Sequence, residues 1–234
     1  MKTIGIIGGI APESTIQYYR LIIKSYREQK NDGRYPSVLI NSIDMKMMLD
    51  LIGANKLPDV TEYLVAEVKK LSVAGADFGL LASNTPHIVF NDIQQQSPIP
   101  LISIVEATCL AAQTLGVKKV GLFGTRFTMQ GNFYSEEFAK HEIALVVPDL
   151  ETQAYIHEKY MSELVHGIYL PETRERLLAI VDELQKQQGI DGLILGGTEL
   201  PFILNMNDLN QQVIPFLDIT KIHVEQAVAK MLSQ

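Results

Sequence analysis

The sequence predicts an α/β protein of two pseudo-symmetric lobes, each a mostly parallel sheet flanked by helices, with an active-site cleft between them. Three observations carry that reading. Lys2-Thr3-Ile4-Gly5-Ile6-Ile7-Gly8 returns as Lys118-Lys119-Val120-Gly121-Leu122-Phe123-Gly124, and Ile99-Pro100-Leu101-Ile102-Ser103 returns as Ile214-Pro215-Phe216-Leu217-Asp218, at offsets of 116 and 115. Between them, Gly75-Ala76-Asp77-Phe78-Gly79-Leu80-Leu81-Ala82-Ser83-Asn84-Thr85 pairs with Gly189-Ile190-Asp191-Gly192-Leu193-Ile194-Leu195-Gly196-Gly197-Thr198-Glu199 at an offset of 114. Finally, short runs that are apolar on both faces alternate with segments of helical period, which is the pattern of parallel strands covered by helices. A duplicated unit of this kind gathers polar strand ends from both halves around a ligand.

The strand candidates of the first half are residues 3–7, 38–41, 78–82 and 101–104. Pro12 suits the first turn of a helix, and Ile16, Tyr19, Ile23 and Tyr26 follow it as one stripe at helical spacing. Further helices are predicted over residues 60–71 and 105–115. The second half offers strands at 119–123, 144–147, 192–195 and 216–217, with helices over 153–166 and 172–188 that Gly167 and Pro171 separate. A last helix over 220–232 follows a strand that repeats the fourth strand of the first half. The chain is therefore expected to return to lobe one, which takes residues 1–104 plus 218–234, leaving 105–217 to lobe two. The two crossings are expected near residues 103–117 and 205–218.

With 234 residues and 47% hydrophobic content, there is ample material for buried cores. The net charge of −7 comes with no Lys/Arg-rich block, which argues against nucleic acid and anionic membranes and for a small-molecule partner. A single cysteine, Cys109, excludes an intramolecular disulfide and a Cys-x-x-Cys motif and fits the cytoplasm. Residues 3–11 run directly into Pro12-Glu13, so they read as strand and turn rather than as a secretory segment. Gly5, Gly8 and Gly9 give Gly-x-x-Gly-Gly, not the dinucleotide fingerprint, and there is no phosphate-binding Gly-Lys-Ser/Thr. His87, His141, His157, His166 and His223 show no paired metal-ligand spacing, and Ser83 is outside any Gly-x-Ser-x-Gly elbow. No metal and no cofactor are expected.

In a parallel sheet the carboxyl ends of strands carry function. Here they present Gly8-Gly9-Ile10-Ala11-Pro12, Asn41 to Asp44, Ser83-Asn84-Thr85-Pro86-His87, Gly124-Thr125-Arg126-Phe127-Thr128 and Gly196-Gly197-Thr198-Glu199. Thr85, Thr125, Thr128 and Thr198 are the hydroxyl donors a carboxylate needs beside unpaired backbone N–H groups, and each also reads as an ordinary N-cap.

These strand ends, with Glu13-Ser14-Thr15 after the first, Phe133-Tyr134 after the fourth and Leu200 closing the last, resemble the aspartate/glutamate racemase family over essentially the whole chain in order. The resemblance implies two pseudo-symmetric lobes, commonly a homodimer, and chemistry without pyridoxal phosphate, other cofactor or metal. One cysteine removes the α-proton of an amino acid and a second returns a proton from the opposite face. Both thiols are replaced here: Ser83 stands immediately before Asn84-Thr85, and Gly197 immediately before Thr198-Glu199, where the family has cysteines. Cys109 lies within a predicted helix and reads as a structural thiol.

A cysteine starts near a pKa of about 8.5 and can be tuned downward, whereas a serine needs another group to hold its proton and a glycine supplies nothing. The helper on the Ser83 side is His87, a position that equally suits capping or packing. At Gly197 the agent left is Glu199 or a water in the space vacated by the thiol. For the substrate, the resemblance assigns the α-carboxylate to Asn84, Thr85 and Thr198, with Thr125 and Thr128 contributing, and places Gly9 and Pro12 at the same site. Part of the family carries an arginine after the second strand; residues 41–49 offer only Lys46, beside three methionines, so specificity for an acidic side chain stays open. The reading is an amino-acid racemase acting on a small, acidic amino acid. The alternatives are a relative that binds a small carboxylate without racemising it, or a one-sided lyase or decarboxylase.

Overall fold

Each repeat folds around its own parallel sheet in the structure, a computed structural model that describes residues 1–204 and 214–233. Contacts group the chain into two units, Met1–Ile104 with His223–Gln234, and Val105–Ile222.

The first unit runs β1 (Ile4–Gly8), α1 (Pro12–Lys30), β2 (Val38–Ser42), α2 (Met45–Gly53), α3 (Leu57–Val73), β3 (Phe78–Leu81), a 3-10 turn (Thr85–Val89), α4 (Phe90–Gln96) and β4 (Leu101–Ile102), and α5 (Ile104–Thr114) follows. Its strands lie in the order β2-β1-β3-β4, all parallel. Alternation along the strands separates two cores. Ile4, Ile6, Phe78 and Leu80 pack with Tyr18, Ile22 and Tyr26 of α1, while Ile7 and Leu81 pack with Leu64, Val68 and Leu71 of α3. Gly5 lets α3 approach, because a Cβ there would stand 3.0 Å from the Leu71 side chain.

The methionine-rich stretch after β2 is a helix, α2. Asp44 starts it by accepting from the Lys46 and Met47 amides at 2.9 and 3.3 Å. Met48 is buried in the core while Met47 stays exposed, so the methionines divide between interior and surface.

The second unit repeats the plan. It runs β5 (Lys119–Gly124), α6 (Arg126–Gln130), α7 (Asn132–Lys140), β6 (Ala144–Val146), α8 (Leu150–Ser162), α9 (Pro171–Gln188), β7 (Gly192–Gly196), α10 (Leu200–Ile203) and β8 (Phe216–Asp218), and α11 (Ile219–Leu232) follows. The order β6-β5-β7-β8 is the order of the first sheet, strand for strand. Helix α8 begins earlier than its periodicity suggests, because Asp149 accepts from the Thr152 amide at 2.8 Å. It also ends earlier, through a 3-10 turn at Leu164–His166 that Gly167 closes with φ 71°.

Asp218 pairs with Leu195, so the chain stays with the second unit through Ile222 and returns to the first at His223, later than the expected 218. Residues 205–213, where the second crossing was expected to begin, lie outside the described residues. No described helix is long and apolar enough to cross a membrane.

Candidate active-site strand ends

Strand order locates the functional ends. In each sheet the chain winds one way from the first strand to the second and the other way to the third, and ligands gather where such directions part. In the first unit that point lies beyond β1 and β3, in register at Ile7 and Leu81; in the second it lies beyond β5 and β7, in register at Gly124 and Gly196.

At the end of β1 the backbone is locked by close approach. A Cβ on Gly8 would sit 2.5 Å from the Thr15 side chain, and Gly9, at φ +85°, would put one 2.6 Å from the Ile43 carbonyl oxygen. The Gly9 amide donates to the Thr15 hydroxyl at 2.8 Å, which fixes the loop onto the first turn of α1. Pro12 stands exposed at the start of that helix, whose N-cap, Ala11, offers no side-chain bond.

At the end of β3, Ser83, Asn84 and Thr85 are half-buried, whereas His87 is buried. The His87 Nδ1–H donates to the Ser83 carbonyl at 3.0 Å, and its Nε2 accepts from the Ile104 amide at 3.2 Å. The ring also stacks on Phe90 at 4.9 Å. Burial, followed by the neighbouring His223, lowers its pKa to about 3. The imidazole therefore holds the turn after β3 by backbone bonds and stays neutral, a capping and packing role. His223 is buried likewise, between the Tyr18 hydroxyl at 2.8 Å and the Ile102 carbonyl at 2.9 Å, and burial lowers it to about 4.

In the second unit, Thr125 caps α6, its hydroxyl accepting from the Thr128 amide at 3.3 Å and meeting the Thr128 hydroxyl at 3.2 Å. Thr128 is buried and Thr125 half-buried, so of the two Thr125 is the more open to a ligand. The Arg126 amide donates to His157 Nδ1 at 3.3 Å, and His157 titrates below its ordinary value through burial and then the Arg126 charge.

The end of β7 differs from its sequence reading. The space beside Gly197 is filled: a Cβ there would lie 2.6 and 2.7 Å from Cε2 and Cζ of Tyr160 and would overlap its hydroxyl. Tyr160, from α8, is 7% exposed and its hydroxyl donates to the Glu199 carboxylate in a very short hydrogen bond. Burial, then the Glu199 charge, raises the phenol well above its ordinary value, so it stays protonated. Tyr160 escaped the sequence reading because nothing marks it among the polar residues of α8.

Cys109 is buried, and burial followed by the Glu137 charge pushes its thiol up to about 11, which makes it an inert structural residue. No cluster of metal-ligating side chains occurs among the described residues. Two surface hollows of about 610 and 660 Å³ occur in the first unit, one along α1 from Tyr19 to Gly33, the other between α3 and α4, and neither is lined by a strand-end residue.

The family model described as Asp/Glu/Hydantoin racemase matches residues 7–227. The chain belongs to this family. Among its relatives is a broad-specificity amino-acid racemase, RacX, of Bacillus subtilis, 26% identical over 98% of both chains. The structure of an aspartate racemase homologue from Pyrococcus horikoshii OT3 is 32% identical, covers the whole of both chains and superposes with a TM-score of 0.90. An aspartate racemase from Picrophilus torridus, 21% identical over 98% of this chain and 95% of its own, shares the fold with a TM-score of 0.76. Family membership accords with the two four-stranded parallel sheets and with the strand ends just described.

Proposed function

We propose that this racemase-family chain binds a small amino acid, the acidic ones being the first to test, and exchanges its α-proton without metal or cofactor. The supporting observation is that both repeats keep a hydroxyl- or amide-bearing side chain, half-buried, just beyond the third strand: Asn84 and Thr85 in the first, Thr198 in the second. Thr125 adds a half-buried hydroxyl beyond β5. On this reading each unit offers donors suited to a carboxylate, and Gly9 gives the first unit a loop with no side chain to obstruct a ligand. A cytoplasmic homodimer belongs to the same proposal and rests on the family resemblance.

The serine at 83 and glycine at 197, where the family resemblance leads one to expect thiols, favour a second reading, a binder that keeps the carboxylate donors and exchanges nothing. Proton NMR of D- and L-aspartate, glutamate and alanine in D2O separates the two. Loss of the α-proton signal supports the enzyme; thermal stabilisation by the same amino acids without exchange supports the binder. Neither exchange nor stabilisation across that panel removes both readings.

A further inference from the structure

We propose that the phenol of Tyr160, paired with the Glu199 carboxylate, is the proton-carrying group at the end of β7, taking the place of the side chain that Gly197 lacks. This rests on the α-proton exchange proposed above and names the residues that perform it in the second unit.

The first ground is space. Tyr160 Cε2 and Cζ stand within 2.7 Å of where a Cβ of residue 197 would be, so a side chain at 197 would have to displace the Tyr160 ring. The volume lost at 197 has been refilled from α8 with a group that ends in a hydroxyl. The second ground is connectivity. The hydroxyl hydrogen is aimed at the Glu199 carboxylate. An apolar filler would have closed the gap but left the half-buried Glu199 carboxylate without this donor. Filling by a phenol supplies both volume and a proton path.

The step balances as a relay. The Cα–H bond of the substrate breaks and its proton joins the phenolic oxygen, while the Tyr160 O–H bond breaks and that proton passes to Glu199, which becomes a carboxylic acid. The electron pair of the C–H bond stays on the substrate, delocalised into its carboxylate. Return of the proton runs the same bonds in reverse. Tyr160 is neutral before and after, which suits a buried phenol whose ionisation the adjacent Glu199 opposes.

The test compares the wild type with Tyr160→Phe and Glu199→Gln. The α-proton exchange of D- and L-aspartate, glutamate and alanine is followed in D2O, and contact is read from the ¹³Cζ-tyrosine resonance that Tyr160→Phe deletes. Both variants are expected to lose exchange by about 100-fold or more while keeping their thermal midpoint and their stabilisation by amino acids, since general acid–base groups contribute factors of this order. Exchange at the wild-type rate in either folded variant overturns the proposal. Should Tyr160→Phe fail to fold, Glu199→Gln decides by the same criterion. A wild type that exchanges none of these amino acids defeats the proposed function separately. In that case a Tyr160 resonance that shifts on amino-acid addition upholds Tyr160 as the group meeting the ligand, and an unmoved resonance overturns it.

Discussion

Ser83 and Gly197 occupy matching places in two copies of one plan, two residues beyond the last paired residue of the third strand in the first copy and one beyond it in the second, yet they are completed in opposite ways. The first copy keeps its own side chain there, half-buried, and secures the turn from behind by His87. The second gives up the side chain and receives the ring of Tyr160 from a helix some forty residues earlier in the chain. Strand pairing restrains the backbone of both copies in the same register, but it places no restraint on which element delivers the polar group. A duplicated fold can therefore keep its geometry while its chemistry moves to another part of the chain.

That contrast is sharpest at Tyr160. Tyr160→Ala is expected to cost about 3–5 kcal/mol, the range for emptying a buried aromatic site. Gly197→Cys alone should cost about 1–3 kcal/mol through overpacking against the ring, but little further in a Tyr160→Ala background. Urea denaturation of the two single variants and the double variant measures this coupling. Costs that simply add would show that residues 160 and 197 do not compete for one space. For the same reason Ser83→Cys with Gly197→Cys is not expected to restore two-thiol racemisation until Tyr160 is shortened as well.

The first copy should be the acid-sensitive one. His87 aligns with Pro201 in the repeat, and both buried histidines, His87 and His223, belong to the first unit. Their folded values, about 3 and about 4, lie below the ordinary 6.5, so the unfolded chain takes up protons first as pH falls. Stability is thus complete above about pH 6.5 and declines toward pH 4, with each histidine contributing up to about 1.4 kcal/mol per pH unit. Denaturation midpoints between pH 7 and 4.5 should show a shallower decline in a folded His87→Gln variant. An unchanged slope would remove His87 from this account.

Smaller effects complete the series. Asp149→Ala removes the cap of α8, the helix that presents Tyr160, and should cost about 1 kcal/mol in thermal or urea unfolding. Ser83→Cys, at a half-buried site, should stay within about 0.5 kcal/mol of wild type. A cost at Ser83 as large as that at Gly197 would erase the distinction between the two copies.

The repeat, the parallel strands and the Gly8-Gly9 turn were legible in the chain because each has a local signature: an offset, an apolar run, a glycine pair after a strand. Position 197 was legible as a missing side chain. Its occupant was not, because α8 shows only ordinary helical spacing around Tyr160, and α2 was missed because its nine residues are too few to display a period. The path of His87 was equally hidden, since its two ring nitrogens meet carbonyl and amide groups of Ser83 and Ile104.

The sequence by itself determined the family, the doubly repeated α/β plan and the identities at positions 83 and 197, since these depend on residue identity and on spacing along one chain. Only the tertiary structure decided what filled the gap at Gly197, held Glu199 and kept His87 neutral. Those outcomes depend on volume, hydrogen bonding and desolvation among residues far apart in sequence, and no local pattern encodes that proximity.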